Sequence, residues 1–202
     1  MCSSMTPAPS STSTRWTSSS RLSGPTMAND IDIRRLLAPD AEAYKRLRDD
    51  MLDGFPDAFT SDAESERAKP ANAYVARFEA EGDAARFSFG AWRGGELVGA
   101  ISCERDARLK VRHVGHIIGM MVRPNLQGHG IGRALIAATL AQARSVPELE
   151  LLTLSVTSSN QAAVGLYEKA GFVRYGQLPH AIKLGDKRLG KDLMMLALRQ
   201  QP

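Results

Sequence analysis

The segment HVGHIIGMMV, residues 113–122, is an apolar strand, and it runs directly into NLQGHGIGRAL, residues 125–135, which carries glycines at 128, 130 and 132. A regular helix follows, with Ala134, Leu135, Ala138 and Leu140 to Ala143 on its apolar side and Pro147 marking its end. LELLTLSV, residues 149–156, is a second apolar strand. Strand, glycine turn, helix and strand leave little topological freedom. The helix is a crossover, so the two strands that flank it are expected to be parallel.

The rest of the chain is expected to add antiparallel partners to that unit. FSFGAWRGGELVGAISCER, residues 87–105, is two strand-like runs joined at Gly94 and Gly95, which reads as a hairpin. IDIRRLL is a short first strand, and PDAEAYKRLRDDML a helix with Ala43, Leu47 and Met51 on one face. A weaker helix is expected from about Asp62 to Glu79, bent or divided by Pro70. SSNQAAVGLYEKAGF gives an Asn-capped helix stopped by Gly171, and LGDK turns between two final strands. The fold class is therefore α+β: a mixed sheet with helices on both faces.

Composition limits the function. With 43% hydrophobic and 24% charged residues over 202 positions, residues 27–202 fit a single domain with its own core. The first 26 residues are Ser/Thr-rich, acid-free and aperiodic, so they are expected to be a disordered leader. They are either transit-like or upstream of a native start at Met27, and the second reading is favoured. Two cysteines build no disulfide framework, no Cys/His cluster has zinc spacing, and no metal is expected. A cytoplasmic setting fits. The net charge of +4 comes from basic residues scattered among 22 acids, which argues against nucleic acid. No apolar run approaches the roughly 20 residues of a membrane span.

The glycines at the start of a helix suggest an anion site. The first helical turn exposes unpartnered N–H groups and the positive end of the dipole, and glycine lets an anion approach them. The alternative is a tight turn that needs glycine for its backbone angles alone. A dinucleotide fingerprint is disfavoured because Arg133 stands at its last glycine position, and no Lys-Ser or Lys-Thr follows as in a nucleotide triphosphate loop.

The stretch resembles the acetyl-CoA signature of the GNAT N-acetyltransferase superfamily, with Gln127, Gly130 and Gly132 filling its fixed positions. LSVTSSNQAAVGLYEKAGF resembles the family's second motif through Asn160, Ala163, Leu166, Tyr167, Gly171 and Phe172. The resemblance spans roughly residues 30 to 199. It implies a GNAT-like fold, a mostly antiparallel sheet whose parallel pair splays, and acetyl-CoA as cosubstrate. It also implies direct transfer to a primary amine of a small molecule or peptide in a ternary complex, with a homodimer as a common assembly.

Each part of a CoA thioester needs its own partner. The amides of Gly128, His129, Gly130, Ile131, Gly132 and Arg133 suit the pyrophosphate. Backbone groups of Met120, Met121 and Val122 would pair with the pantetheine amides, and Gly119 would permit a bulge there. Asn160 is a candidate partner of the pantetheine arm, or a simple helix cap. Tyr167 is a candidate general acid for the departing thiolate, or a packing residue.

The base is open: Glu104 and His116 are candidates, with a solvated strand end and a hydrogen-bonded wall residue as their plainer roles. Relatives that acetylate protein N-termini often show Glu where this chain has Ser155. Asp50, Asp53 and Asp57 are a candidate acidic rim for cationic amines, or a solvated helix face. The competing class is a noncatalytic acyl-CoA-binding sensor or interaction module.

Overall fold

Apolar runs produce the central strands β3, β4 and β5, and glycine turns at Gly94–Gly95 and Gly185 close two hairpins. The computed structural model describes residues 31–78 and 83–199, so the leader 1–26 and the choice of start lie outside the described residues. Strand β1 is Asp32–Arg35, β2 Phe87–Arg93, β3 Glu96–Arg105, β4 Val114–Val122, β5 Leu151–Thr157, β6 Val173–Leu184 and β7 Lys187–Ala197. They form one sheet in the order β1-β2-β3-β4-β5-β7-β6. Every neighbouring pair is antiparallel except β4 and β5, the pair that the crossover helix requires to be parallel.

The helices are α1, Ala41–Gly54; α2, Ala63–Arg67; α3, Val75–Phe78; α4, Ile131–Ser145; and α5, Gln161–Lys169. Pro70 divides the expected 62–79 helix. It sits extended at ψ 155°, separating α2 from a 3-10 turn at Ala71–Tyr74 that leads into α3, and residue 79 lies outside the described residues. On α1 the inward face is Tyr44, Leu47, Arg48 and Met51, while Ala43 is only half-buried.

The sheet separates two apolar clusters. Ile101, Ile117, Leu135, Leu140, Leu152 and Phe172 belong to the cluster beneath α4 and α5. Tyr44, Leu47, Phe78, Leu97, Ala100 and Met121 form the second, beneath α1 and α3.

Two irregularities in β4 place the site. The parallel ladder with β5 lasts three rungs, Val114 opposite Leu151, Gly115 opposite Leu152 and His116 opposite Thr153, and then the strands part. On its other edge, Ala100 faces Met121 and Ser102 faces Ile118, so β4 carries one extra residue. Gly119 lies in that interval at φ +61°, a conformation that a side chain would strain.

Candidate active site

On the α4 side, the chain leaves β4 through a 3-10 turn at Pro124–Leu126. Gln127 Nε2 donates to the Val122 carbonyl at 3.1 Å, which ties the loop back to the strand. Gly128 (φ +81°) and Gly130 (φ +83°) both need glycine for their backbone angles. Both also face open space: a Cβ on Gly128 would meet nothing within 4 Å, and one on Gly130 only the Arg133 guanidinium at 3.9 Å. The N-terminus of α4 has no side-chain cap and no acid in its first turn. The two readings of this loop are therefore not exclusive, because the same glycines make the turn and leave its donors accessible.

Gly132 does something the sequence did not suggest. A Cβ there would stand 3.0 Å from the Leu166 side chain and 3.1 Å from that of Met120, so this glycine lets α4 approach α5 and β4 closely. Met120 and Val122 pack toward the α4 cluster, whereas Met121 is buried in the α1 cluster. Beyond His116 the edge of β4 that faces β5 has no strand partner among the described residues. The backbone donors and acceptors along that edge are therefore not paired with β5.

Asn160 caps α5, accepting from the Ala163 amide at 3.1 Å, so its plainer role is fulfilled. Tyr167 is 6% exposed, packs edge-on to Phe172 with 5.8 Å between ring centroids, and lies against Ile101, Ile117 and Ile136. Burial pushes its phenol above the ordinary value, which keeps it protonated. Cys103 is buried too, and burial, aided by Glu104 and Asp83, pushes its thiol up to about 12. It remains a thiol at neutral pH and is no nucleophile.

The two base candidates come together on the opposite face of the sheet. Glu104 and His116 are direct partners in the β3–β4 register, at the last rung before β4 and β5 part. His116 Nδ1 lies 2.8 Å from Thr153 Oγ1, which holds the ring across the parallel pair.

The acidic rim needs correcting. Asp50 pairs with Arg123 at 3.1 Å and Asp53 with Arg67 at 2.5 Å, so both serve intramolecular ion pairs instead of a free negative rim. Asp57 stays exposed, and its backbone carbonyl accepts from Thr157 Oγ1 at 2.9 Å, which seats the loop after α1 against the end of β5.

Sequence reasoning missed the side chains that build this face. Tyr44 and Arg77 stand over the β4 bulge, 3.3 and 3.9 Å from where a Gly119 Cβ would lie. Behind them Glu66 accepts hydrogen bonds from Arg48 Nε at 2.6 Å, Lys69 Nζ at 2.6 Å and Tyr74 Oη at 2.7 Å. Burial would raise the Glu66 carboxyl, but those three bonds outweigh it and hold it at about 2. Among the described residues no group of His, Cys, Asp and Glu is arranged to hold a metal, and no helix is long and apolar enough to cross a membrane.

A GNAT acetyltransferase family model matches residues 44–172. The mycothiol acetyltransferase of Salinispora tropica is 35% identical over 118 residues, which cover 58% of this chain and 38% of that protein. N-alpha-acetyltransferase RimI of Mycobacterium tuberculosis is 40% identical over 88 residues, covering 43% of this chain and 52% of that one. The match thus spans only about two-fifths of the mycothiol acetyltransferase. Among solved structures, yncA from Salmonella typhimurium, determined with acetyl-CoA, superposes with a TM-score of 0.75 at 20% identity over 86% of this chain and 97% of its own. A GNAT acetyltransferase from Streptococcus pneumoniae gives a TM-score of 0.71 at 24% identity, over 83% and 99%. The matched segment begins in α1, takes in the glycine loop and the opened β4, and closes at Phe172; the chain belongs to the acetyltransferase (GNAT) family.

Proposed function

We propose that this protein is an acetyl-CoA-dependent N-acetyltransferase that moves acetyl directly to a primary amine within a ternary complex. The observation that carries the reading is the continuity of the uncapped α4 N-terminus with the unpaired edge of β4. One path thereby offers main-chain donors to a pyrophosphate and then to an amide-bearing arm. The fit is supported by the open space at Gly128 and Gly130, which a side chain would fill.

When bound, acetyl-CoA supplies an activated acyl group whose C–S bond breaks as the amine's C–N bond forms. The residues of this chain handle the protons. His116, steadied by Thr153 and facing Glu104, takes the proton that the ammonium must lose before its nitrogen can attack. Tyr167 gives its phenolic proton to the sulfur as it leaves, and the second proton that the nitrogen sheds on becoming an amide restores it. Asn160 fixes the start of α5 and so the height of Tyr167 along the site.

Acetyl-CoA titration by calorimetry, paired with a thiol-release assay on a panel of amines, tests the reading. Binding with turnover of at least one amine is expected. Binding without turnover of any amine would make the protein an acyl-CoA sensor, and equal affinity for simple nucleotides would remove the CoA assignment.

A further inference from the structure

The amine-facing side of the gap between β4 and β5 holds two cations that have no carboxylate partner among the described residues. Arg77, on the β4 side, lies over the Tyr74 ring and donates to Tyr44 Oη at 3.4 Å. Lys191, on the β5 side, donates to Thr60 Oγ1 at 2.7 Å and to Ser155 Oγ at 3.3 Å. Several other partly buried cations are paired: Arg48 with Glu66, Arg105 with Asp83, and Arg123 with Asp50 and Glu96. Among the described residues Arg77 and Lys191 stand without such a partner where the two strands part, one against the β4 bulge and the other against Ser155 of β5.

An ammonium has three donors, and hydroxyls take two of those on Lys191. Partial burial weakens its hydration without an acid to compensate, which pushes its amine below the ordinary lysine value. An arriving carboxylate would supply the missing acceptor and the missing charge together. Lys191 lies opposite Thr157 in the β5–β7 ladder and touches the exposed Ser155. Asp57, exposed on the loop that carries Thr60, remains available to an ammonium.

We propose that the acceptor is a primary amine that also bears a carboxylate, and that Lys191 binds that carboxylate while Arg77 adds to the positive field over the bulge. The inference rests on the acetyltransferase reading above. The carboxylate has two sources, a free amino acid or an acidic residue of a peptide, and both present the same group to Lys191.

The test compares kcat/KM for matched acceptors at saturating acetyl-CoA. One pair is a free amino acid against its amide; the other is a peptide beginning with Asp or Glu against the same peptide beginning with Asn or Gln. The wild-type protein should favour the carboxylate member of one pair by roughly 10-fold to 100-fold, the range of a charge-assisted hydrogen bond, and the pair that shows it identifies the source. In Lys191→Met the preference should fall to within about threefold, chiefly through KM, and Lys191→Arg should restore it. No preference in either pair, or a preference that survives in folded Lys191→Met, overturns the inference and leaves the acetyltransferase reading standing. Acetyl-CoA binding with no amine acetylated removes both.

Discussion

The two faces of the sheet offer a ligand different chemistry. The α4 face presents main-chain groups: the glycine loop, the uncapped helix start and the unpaired edge of β4. The opposite face presents side chains: Tyr44, Arg77, His116 and Lys191, braced from behind by the buried Glu66 network. Main-chain recognition depends on conformation, so it tolerates changes in most side chains and is sensitive to a few glycines. Side-chain recognition reverses that dependence. Were the cosubstrate held by the first face and the acceptor by the second, side-chain changes could alter the acceptor without disturbing the cosubstrate.

The sharpest probe of that contrast is Tyr167, a side chain that lies on the main-chain face. Tyr167→Phe keeps the ring that packs on Phe172, so the protein should fold. If the hydroxyl protonates sulfur, the chemical step in single turnover should slow by roughly 10²- to 10⁴-fold, with acetyl-CoA affinity little changed. A rate within about threefold of wild type would leave the α4 face with main-chain recognition alone and make Tyr167 a packing residue.

Next in size is the brace of the opposite face. Glu66→Gln removes the charge on which Arg48 and Lys69 converge, and breaking a buried pair in this way costs about 3–5 kcal/mol, readable in urea denaturation. The wild-type pH dependence follows from the same group. Its carboxyl is depressed from 4.5 to about 2 in the folded protein, so its contribution is complete above about pH 4.5 and is lost as pH falls toward 2. A Glu66→Gln protein as stable as wild type at neutral pH would show that this face does not depend on the network.

The smallest expected effect is on affinity. Gly130→Asp puts a left-handed residue and a negative charge at the open start of α4, and should weaken acetyl-CoA binding on the order of 100-fold in a folded protein. Calorimetry that found unchanged affinity would break the comparison at its base, since the helix start would then not be the anion site.

The same contrast explains what could be read from the sequence. The unit from β4 to α5 was legible because its needs are local: Gly128 and Gly130 for positive φ, Asn160 for a cap, Gly171 at φ +97° for a stop. Even the bulge was signalled, by Gly119. The opposite face was not legible because its contacts join distant positions. Thr157 meets the Asp57 carbonyl 100 residues away, and Lys191 meets Thr60 across 131. Asp50 and Asp53 looked free for the same reason, since their partners Arg123 and Arg67 are 73 and 14 residues away. The Glu104–His116 pairing lay between these cases: both residues were evident, but their meeting needed the strand register.

The extra residue at Gly119 also changes the parity of its strand. Ile117 and Met121 are four positions apart, an even interval that in a regular strand would point both the same way. They belong instead to opposite cores, Ile117 beneath α4 and α5 and Met121 beneath α1 and α3. The strand therefore serves two alternating patterns in succession and changes phase at the point where the ladder opens. The core beneath α4 and α5 takes Ile117 before the bulge and Met120 and Val122 after it, while the other core takes Met121, so a shift of one position in either half would move side chains into the wrong layer. The irregularity that opens the strand thus also keeps both layers in register with the site.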